Sequence, residues 1–213
     1  RELGDVRYAE VRYASPGRGD RSREWNWWSD RDQGGGILGA VGSHLIDTLR
    51  YLGCEIEAVS ATLTTVIADR PFRGERRAVT SDDVASATLR LRGGALATMT
   101  LSVVAAVDEP TTITIHAEDG ALRLAGEELL LAKRGGRFER AHGTELAALP
   151  GNSHGGAFGT ATTLFGRALR AAIDEGDRGQ LAPAATFEDG LAQQRVLDAA
   201  RRSSANDGRW ETV

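Results

Sequence analysis

Ala40, His44, Asp47 and Tyr51 recur at helical spacing and put an imidazole one turn before a carboxylate on a single face. An imidazole titrates near neutral pH and a neighbouring acid can fix its tautomer, so this pair has the makings of a proton-transfer centre. The same spacing serves equally well for a structural histidine bonded to Asp47 or to a backbone carbonyl. Ile37 precedes these residues on the same stripe, and Ser43, a sequence neighbour of His44, points elsewhere on a helix and forms no nucleophile–base pair with it.

Upstream lie Trp25, Trp27 and Trp28, three of the four tryptophans in the chain. Flat aromatic faces suit the C–H faces of sugars and the walls of small-molecule sites. They suit the packing of a poorly covered loop just as well. Arg21 and Arg23 nearby read as solvated.

Gly34, Gly36 and Gly39 spell Gly-x-Gly-x-x-Gly, with Glu55 further on. A dinucleotide site needs a buried parallel strand ending at the first glycine. The segment ahead of it, SREWNWWSDRDQ, is polar and aperiodic, which favours a plain glycine-rich helix entry. His116, His142 and His154 stand apart from one another, and no pair has metal-ligand spacing.

The elements that must position these groups follow from periodicity. Residues 5–14 read as a first strand. Residues 37–52 read as a helix with Leu38, Val41, Leu45, Leu49 and Leu52 facing the core, stopped by Gly53. Strands are expected at 55–68, 83–92, 95–107, 111–117, 121–125 and 128–133, joined by short glycine-bearing turns that favour hairpins. Two helices, 157–174 and 186–203, supply cover for an antiparallel sheet, and 209–213 returns as a short last strand. The expectation is one α+β domain spanning 1–213: an open, mainly antiparallel sheet covered on one face by helices.

Composition narrows the class. The chain has 213 residues, 26 Lys+Arg and 30 Asp+Glu, for a net charge of −4. With 41% hydrophobic and 26% charged residues it reads as globular. No basic block invites nucleic acid, and no apolar run is long enough to span a membrane. The single cysteine, Cys54, excludes an internal disulfide and implies a reducing, cytoplasmic setting. The single methionine, Met99, suggests that an N-terminal part precedes residue 1, and the single lysine, Lys133, leaves little choice for lysine chemistry.

The run Gly34-Gly35-Gly36-Ile37-Leu38-Gly39-Ala40-Val41-Gly42-Ser43-His44-Leu45-Ile46-Asp47 resembles the second signature of the glucose–fructose oxidoreductase / inositol dehydrogenase (Gfo/Idh/MocA) family. Gly4-Asp5-Val6, Asp82-Asp83-Val84 through Leu101, Thr114–Leu124 and Thr186–Ser203 resemble further segments of that family in the same order. The resemblance implies the family's C-terminal domain, without its Rossmann domain, in an oxidoreductase acting on a sugar, cyclitol or polyol. It implies NAD or NADP held mainly by the missing N-terminal domain, which also supplies a lysine, and a homodimer formed through the sheet. It places His44 on the catalytic histidine, with Trp27, Trp28 and Asp47 around the substrate; the fragment alone would be inactive. The family usually has Asp four residues before that histidine. Ala40 stands there instead, which keeps open a binding or oligomerisation domain that has lost dehydrogenase chemistry.

Overall fold

Alternation between apolar and polar residues builds most of the sheet, because successive strand side chains face opposite ways. In β6 (Leu96–Ser102), Ala97, Met99 and Leu101 are buried while Leu96, Thr98 and Thr100 are exposed. β1 (Val6–Ala14) repeats this with Ala9 and Val11 inward and Tyr8, Glu10 and Arg12 outward. The computed structural model describes residues 3–142, 156–176 and 178–213, with side chains of the second helix described from 159 onward.

The chain falls into two compact units, Arg1–Arg140 with Leu191–Val213, and Ala141–Gly190. The first holds a nine-stranded sheet, in the order β10-β9-β8-β7-β1-β6-β5-β2-β11. Its other strands are β2 (Ile56–Thr64), β5 (Val84–Leu91), β7 (Glu109–Ala117), β8 (Gly120–Ala125), β9 (Glu128–Lys133), β10 (Glu139–Arg140) and β11 (Glu211–Thr212). Neighbouring strands run antiparallel except β1 and β6, which pair in parallel from Tyr8↔Leu96 to Ala14↔Ser102. A separate two-stranded hairpin, β3 (Asp69–Phe72) with β4 (Glu75–Ala78), stands outside this sheet.

One face of the sheet is covered. α1 (Ser43–Tyr51) lays Leu45, Ile46 and Leu49 on it, and α3 (Phe187–Ala205) adds Val196, Leu197, Ala199 and Ala200 to the same core. α3 is also clamped to β2: Ser203 Oγ accepts from Ala61 N at 2.9 Å and Ser204 Oγ accepts from Leu63 N at 2.9 Å. In the second unit, α2 (Gly156–Asp174) is followed by a 3-10 turn at Gly179–Leu181. Thr186 and Asp189 open α3 with a reciprocal cap, in which Thr186 N donates to Asp189 Oδ2 at 2.9 Å and Asp189 N to Thr186 Oγ1 at 3.3 Å. The α+β class and the mainly antiparallel sheet match the sequence reading. The β3–β4 hairpin and the parallel β1–β6 pair are additions to it.

Candidate active site

The glycine run before α1 is a close-packed helix entry. It follows two 3-10 turns, Trp27–Ser29 and Arg31–Gln33, and no strand. Gly36 N donates to Trp28 O at 3.1 Å and Gly35 N to Asp30 O at 2.9 Å. A Cβ on Gly35 would lie 2.2 Å from Trp28 O, and one on Gly36 2.3 Å from Asp82 Oδ1. Glycine is therefore required by contact, and at Gly36 also by a φ of +100°.

The first free amides of the helix are taken by Asp82. Its backbone oxygen accepts from Ile37 N at 2.9 Å and its Oδ2 from Leu38 N at 2.8 Å. Burial pushes the Asp82 carboxyl above its ordinary range, opposed by these backbone donors and by Arg201. A carboxylate of the chain itself thus fills the position a phosphate would take at a dinucleotide-binding helix start. Gly34, Gly36 and Gly39 do not form a pyrophosphate cradle.

Between this entry and α1, Leu38–Gly42 form a widened π turn in which Ser43 N reaches back to Leu38 O. Gly42 fits beneath it, since a Cβ there would be 3.1 Å from Leu101 Cδ1 and 3.2 Å from Leu38 Cδ1. The wider turn offsets the residues before Ser43 from the α-helical register. Ile37, expected on the His44 stripe, is consequently fully buried.

His44 stands exposed near the start of α1, while Leu45 and Ile46 beside it face the core. Among the described residues its imidazole has no hydrogen-bond partner, and Asp47, half-buried one turn on, is not joined to it. Among the described residues, His44 is thus bonded neither to Asp47 nor to a carbonyl through its side chain. Ala40 is half-buried, and Tyr51, at the far end of the stripe, is 71% exposed. The result is an unencumbered imidazole with a carboxylate and a phenol on the same open helix face.

The three tryptophans separate. Trp25 is structural: its Nε1 donates to Ala78 O at 3.0 Å, Phe72 meets its ring edge at 5.5 Å, and the Arg77 guanidinium lies 3.6 Å over it. Trp27 is 52% exposed, tilted 51° against Trp28 with ring centroids 5.8 Å apart. Trp28 is half-buried against the core, and its carbonyl is held by both Gly36 N and Ser81 Oγ. The tryptophan loop is thus bonded directly to the entry of the helix that carries His44.

Beneath that loop lie two arginines that sequence reasoning missed. Arg70 is 1% exposed and donates to Asp20 O at 2.8 Å and Arg18 O at 2.6 Å. Arg18, buried as well, places its guanidinium 5.0 Å from the Trp28 ring. Burial, with repulsion from Arg70 and Arg23, lowers its pKa to about 10, against attraction from Asp83. Arginines in a polar, aperiodic segment look solvated, and nothing in their spacing marks them as buried. Arg23 is exposed, as expected, and donates to Gly17 O at 2.7 Å. Of the other histidines, His116 lies on the outer face of β7, His142 is exposed, and His154 is outside the described residues.

Residues 1–123 match the GFO/IDH/MocA C-terminal domain family. Among curated proteins, the chain is 31% identical to glucose-fructose oxidoreductase domain-containing protein 2 of Xenopus tropicalis, an alignment covering 99% of this chain and 58% of that protein. Among solved structures, it resembles an oxidoreductase domain protein from Kribbella flavida, with a TM-score of 0.83, 29% identity, and coverage of 99% of this chain and 59% of the other. The fold is also that of levoglucosan dehydrogenase in complex with NADH and L-sorbose, at a TM-score of 0.83 and 24% identity, over 99% of this chain and 59% of the other. The chain thus spans little more than half the length of these relatives.

Proposed function

The chain belongs to the Gfo/Idh/MocA family, and from that premise we propose that it is the substrate-binding and dimerisation domain of an NAD(P)-dependent oxidoreductase acting on a sugar, cyclitol or polyol hydroxyl. One observation carries this reading: His44 is exposed on α1 with its imidazole uncommitted to any described residue. A base must have a free lone pair within hydrogen-bond reach of the hydroxyl it deprotonates, and no described residue occupies either ring nitrogen of His44. His44 takes that proton. Asp47 lies on the same face to steady the imidazolium, while Trp27 and Trp28 line the apolar side of the sugar ring.

The nicotinamide supplies the hydride acceptor, and this domain supplies the imidazole and the pocket wall. Closure of the glycine run by Asp82 supports a cofactor held mainly by a nucleotide-binding domain outside residues 1–213. The outer face of the sheet, with Tyr8, Glu10, Arg12, Thr98 and Thr100 exposed, is the surface we assign to the homodimer.

Ala40 favours a second reading, a binding or oligomerisation domain without dehydrogenase chemistry, because it removes the acid the family usually places before the histidine. Full-length protein assayed with NAD+ and NADP+ against sugars, cyclitols and polyols separates the two. On the first reading there is turnover, and His44→Ala lowers kcat by about 10²-fold or more. Dinucleotide binding with no turnover on any substrate selects the second. An unchanged rate in His44→Ala removes the imidazole from the mechanism.

A further inference from the structure

We propose that Arg18 is a positioning residue for substrate binding: its buried guanidinium sets the orientation of the Trp28 ring and, through it, the tilt between Trp27 and Trp28. This role rests on reading those two tryptophans as one wall of a sugar pocket. The backbone of the tryptophan loop does not need the Arg18 side chain. Arg18 N donates to Val103 O at 2.8 Å, Trp25 N to Pro71 O at 2.8 Å and Thr80 N to Ser29 O at 3.0 Å. Arg70 adds its bonds to Asp20 O and Arg18 O, and Trp25 Nε1 its bond to Ala78 O. All of these anchors survive a change of side chain at position 18.

What they do not hold is the Trp28 ring. Its carbonyl is bonded, but its Nε1 is buried with no hydrogen-bond partner among the described residues. Trp25, by contrast, is pinned through its own Nε1. An indole without that bond keeps its angle only through the groups packed against it. One of them is Arg18, 6% exposed, with Cζ 5.0 Å from the Trp28 ring centroid and so within range of a cation–π contact.

The other contacts of this guanidinium are poor. One terminal nitrogen reaches Ser29 Oγ at 3.4 Å, and Nε is buried without a partner among the described residues. Asp83 attracts it, but Asp83 Oδ2 already accepts from Val66 N at 3.0 Å and Ile67 N at 2.8 Å, and Arg70 repels it. A buried cation so weakly matched is a burden on folding, and an apolar side chain of similar length would serve the core at least as well. The Trp28 ring is the group on which the charge acts to most effect. Trp27, 5.8 Å from Trp28 and tilted 51° against it, follows wherever that ring is set.

Two indoles this close couple their transitions and give a signed pair of bands in circular dichroism, assigned to them by its loss in Trp27→Phe. In Arg18→Met the band pair should weaken, while Tm stays within about 2 °C of wild type or rises. In full-length protein with the sugar, cyclitol or polyol it turns over, Arg18→Met should raise KM about tenfold with kcat within about twofold, the pattern of lost uniform binding. Arg18→Lys keeps a cation in place and should restore most of the band pair, with KM within about threefold of wild type. Arg21→Ala, at an exposed neighbouring cation, should change neither. His44→Ala should leave the band pair intact, which keeps this test separate from that of the catalytic reading. If no substrate is turned over, the proposed function fails and the band pair still decides whether Arg18 sets the ring. An unchanged band pair or an unchanged KM in Arg18→Met overturns the proposal, as does a lysine variant no better than methionine. A Tm lowered by more than about 2 °C in Arg18→Met also overturns it, because Arg18 is then a support of the core.

Discussion

Asp82 fastens the helix that carries His44, and its replacement separates two contributions that usually travel together. In Asp82→Ala, Leu38 N loses its 2.8 Å acceptor while Leu38 itself is only 1% exposed, so an amide is left buried and unpaired. Loss of a capping oxygen and the desolvation of that amide together cost about 2 kcal/mol. For a chain of this size that lowers Tm on the order of 4–8 °C. Asp82→Asn keeps an oxygen in place and removes only the charge. Because burial raises the Asp82 pKa in the folded state, the native protein holds that proton more tightly than the unfolded chain. Stability from this group is then greatest at low pH and is lost as pH climbs through the raised pKa. Asparagine is exempt from that loss, so it should cost well under half as much as alanine at neutral pH. Its deficit relative to wild type should also shrink as pH rises above the ordinary carboxylate range. Urea denaturation with constant m-values reads all three proteins. Equal losses in Asn and Ala, or an alanine variant within about 0.5 kcal/mol of wild type, would show that Asp82 is not the cap.

Gly36→Ala, which drives a Cβ to 2.3 Å from Asp82 Oδ1 at a φ of +100°, should cost about 3 kcal/mol in the same denaturation assay. Gly53→Ala, at φ +90° with open space around it, should cost only about 1 kcal/mol. Burial, with Glu55 beside it, pushes the Cys54 thiol up to about 11. Native protein at pH 8 should therefore react with a disulfide reagent far more slowly than unfolded protein, and equal rates would contradict its burial. Trp27→Ala should leave stability within about 0.5 kcal/mol, because the ring is half-exposed. In full-length enzyme it should raise KM for the sugar by about tenfold, and an unchanged KM would remove it from the pocket.

Local pattern carried much of the fold. α1 is legible because Leu45 and Leu49 recur at core spacing, and β5 and β6 because alternation and Gly93-Gly94 describe a hairpin. The β3–β4 hairpin is not legible, since Arg70, Arg73, Arg76 and Arg77 dominate its sequence, yet Arg70 is among the most buried side chains. Its bonds go to backbone oxygens of a distant loop, which no periodicity encodes. The parallel pairing of β1 with β6 is equally hidden, because a strand's own residues do not specify a partner so far along the chain. At the candidate site, His44 and Asp47 were visible as a helix face. The π turn that buries Ile37 depends on Gly42 meeting Leu101 across the core and leaves no local signal.

β1 also constrains the order in which this unit can assemble. β5–β6 and β7–β9 can each close through short turns soon after synthesis, yet they do not pair with one another. Tyr8 must find Leu96 on one side and His116 on the other before the two blocks become one surface. Such distant pairings are slow to form because loop-closure entropy opposes them until the contacts are made. A strand made before either block is thus the last seam sewn, and until it is, two open strand edges stand exposed to wrong neighbours.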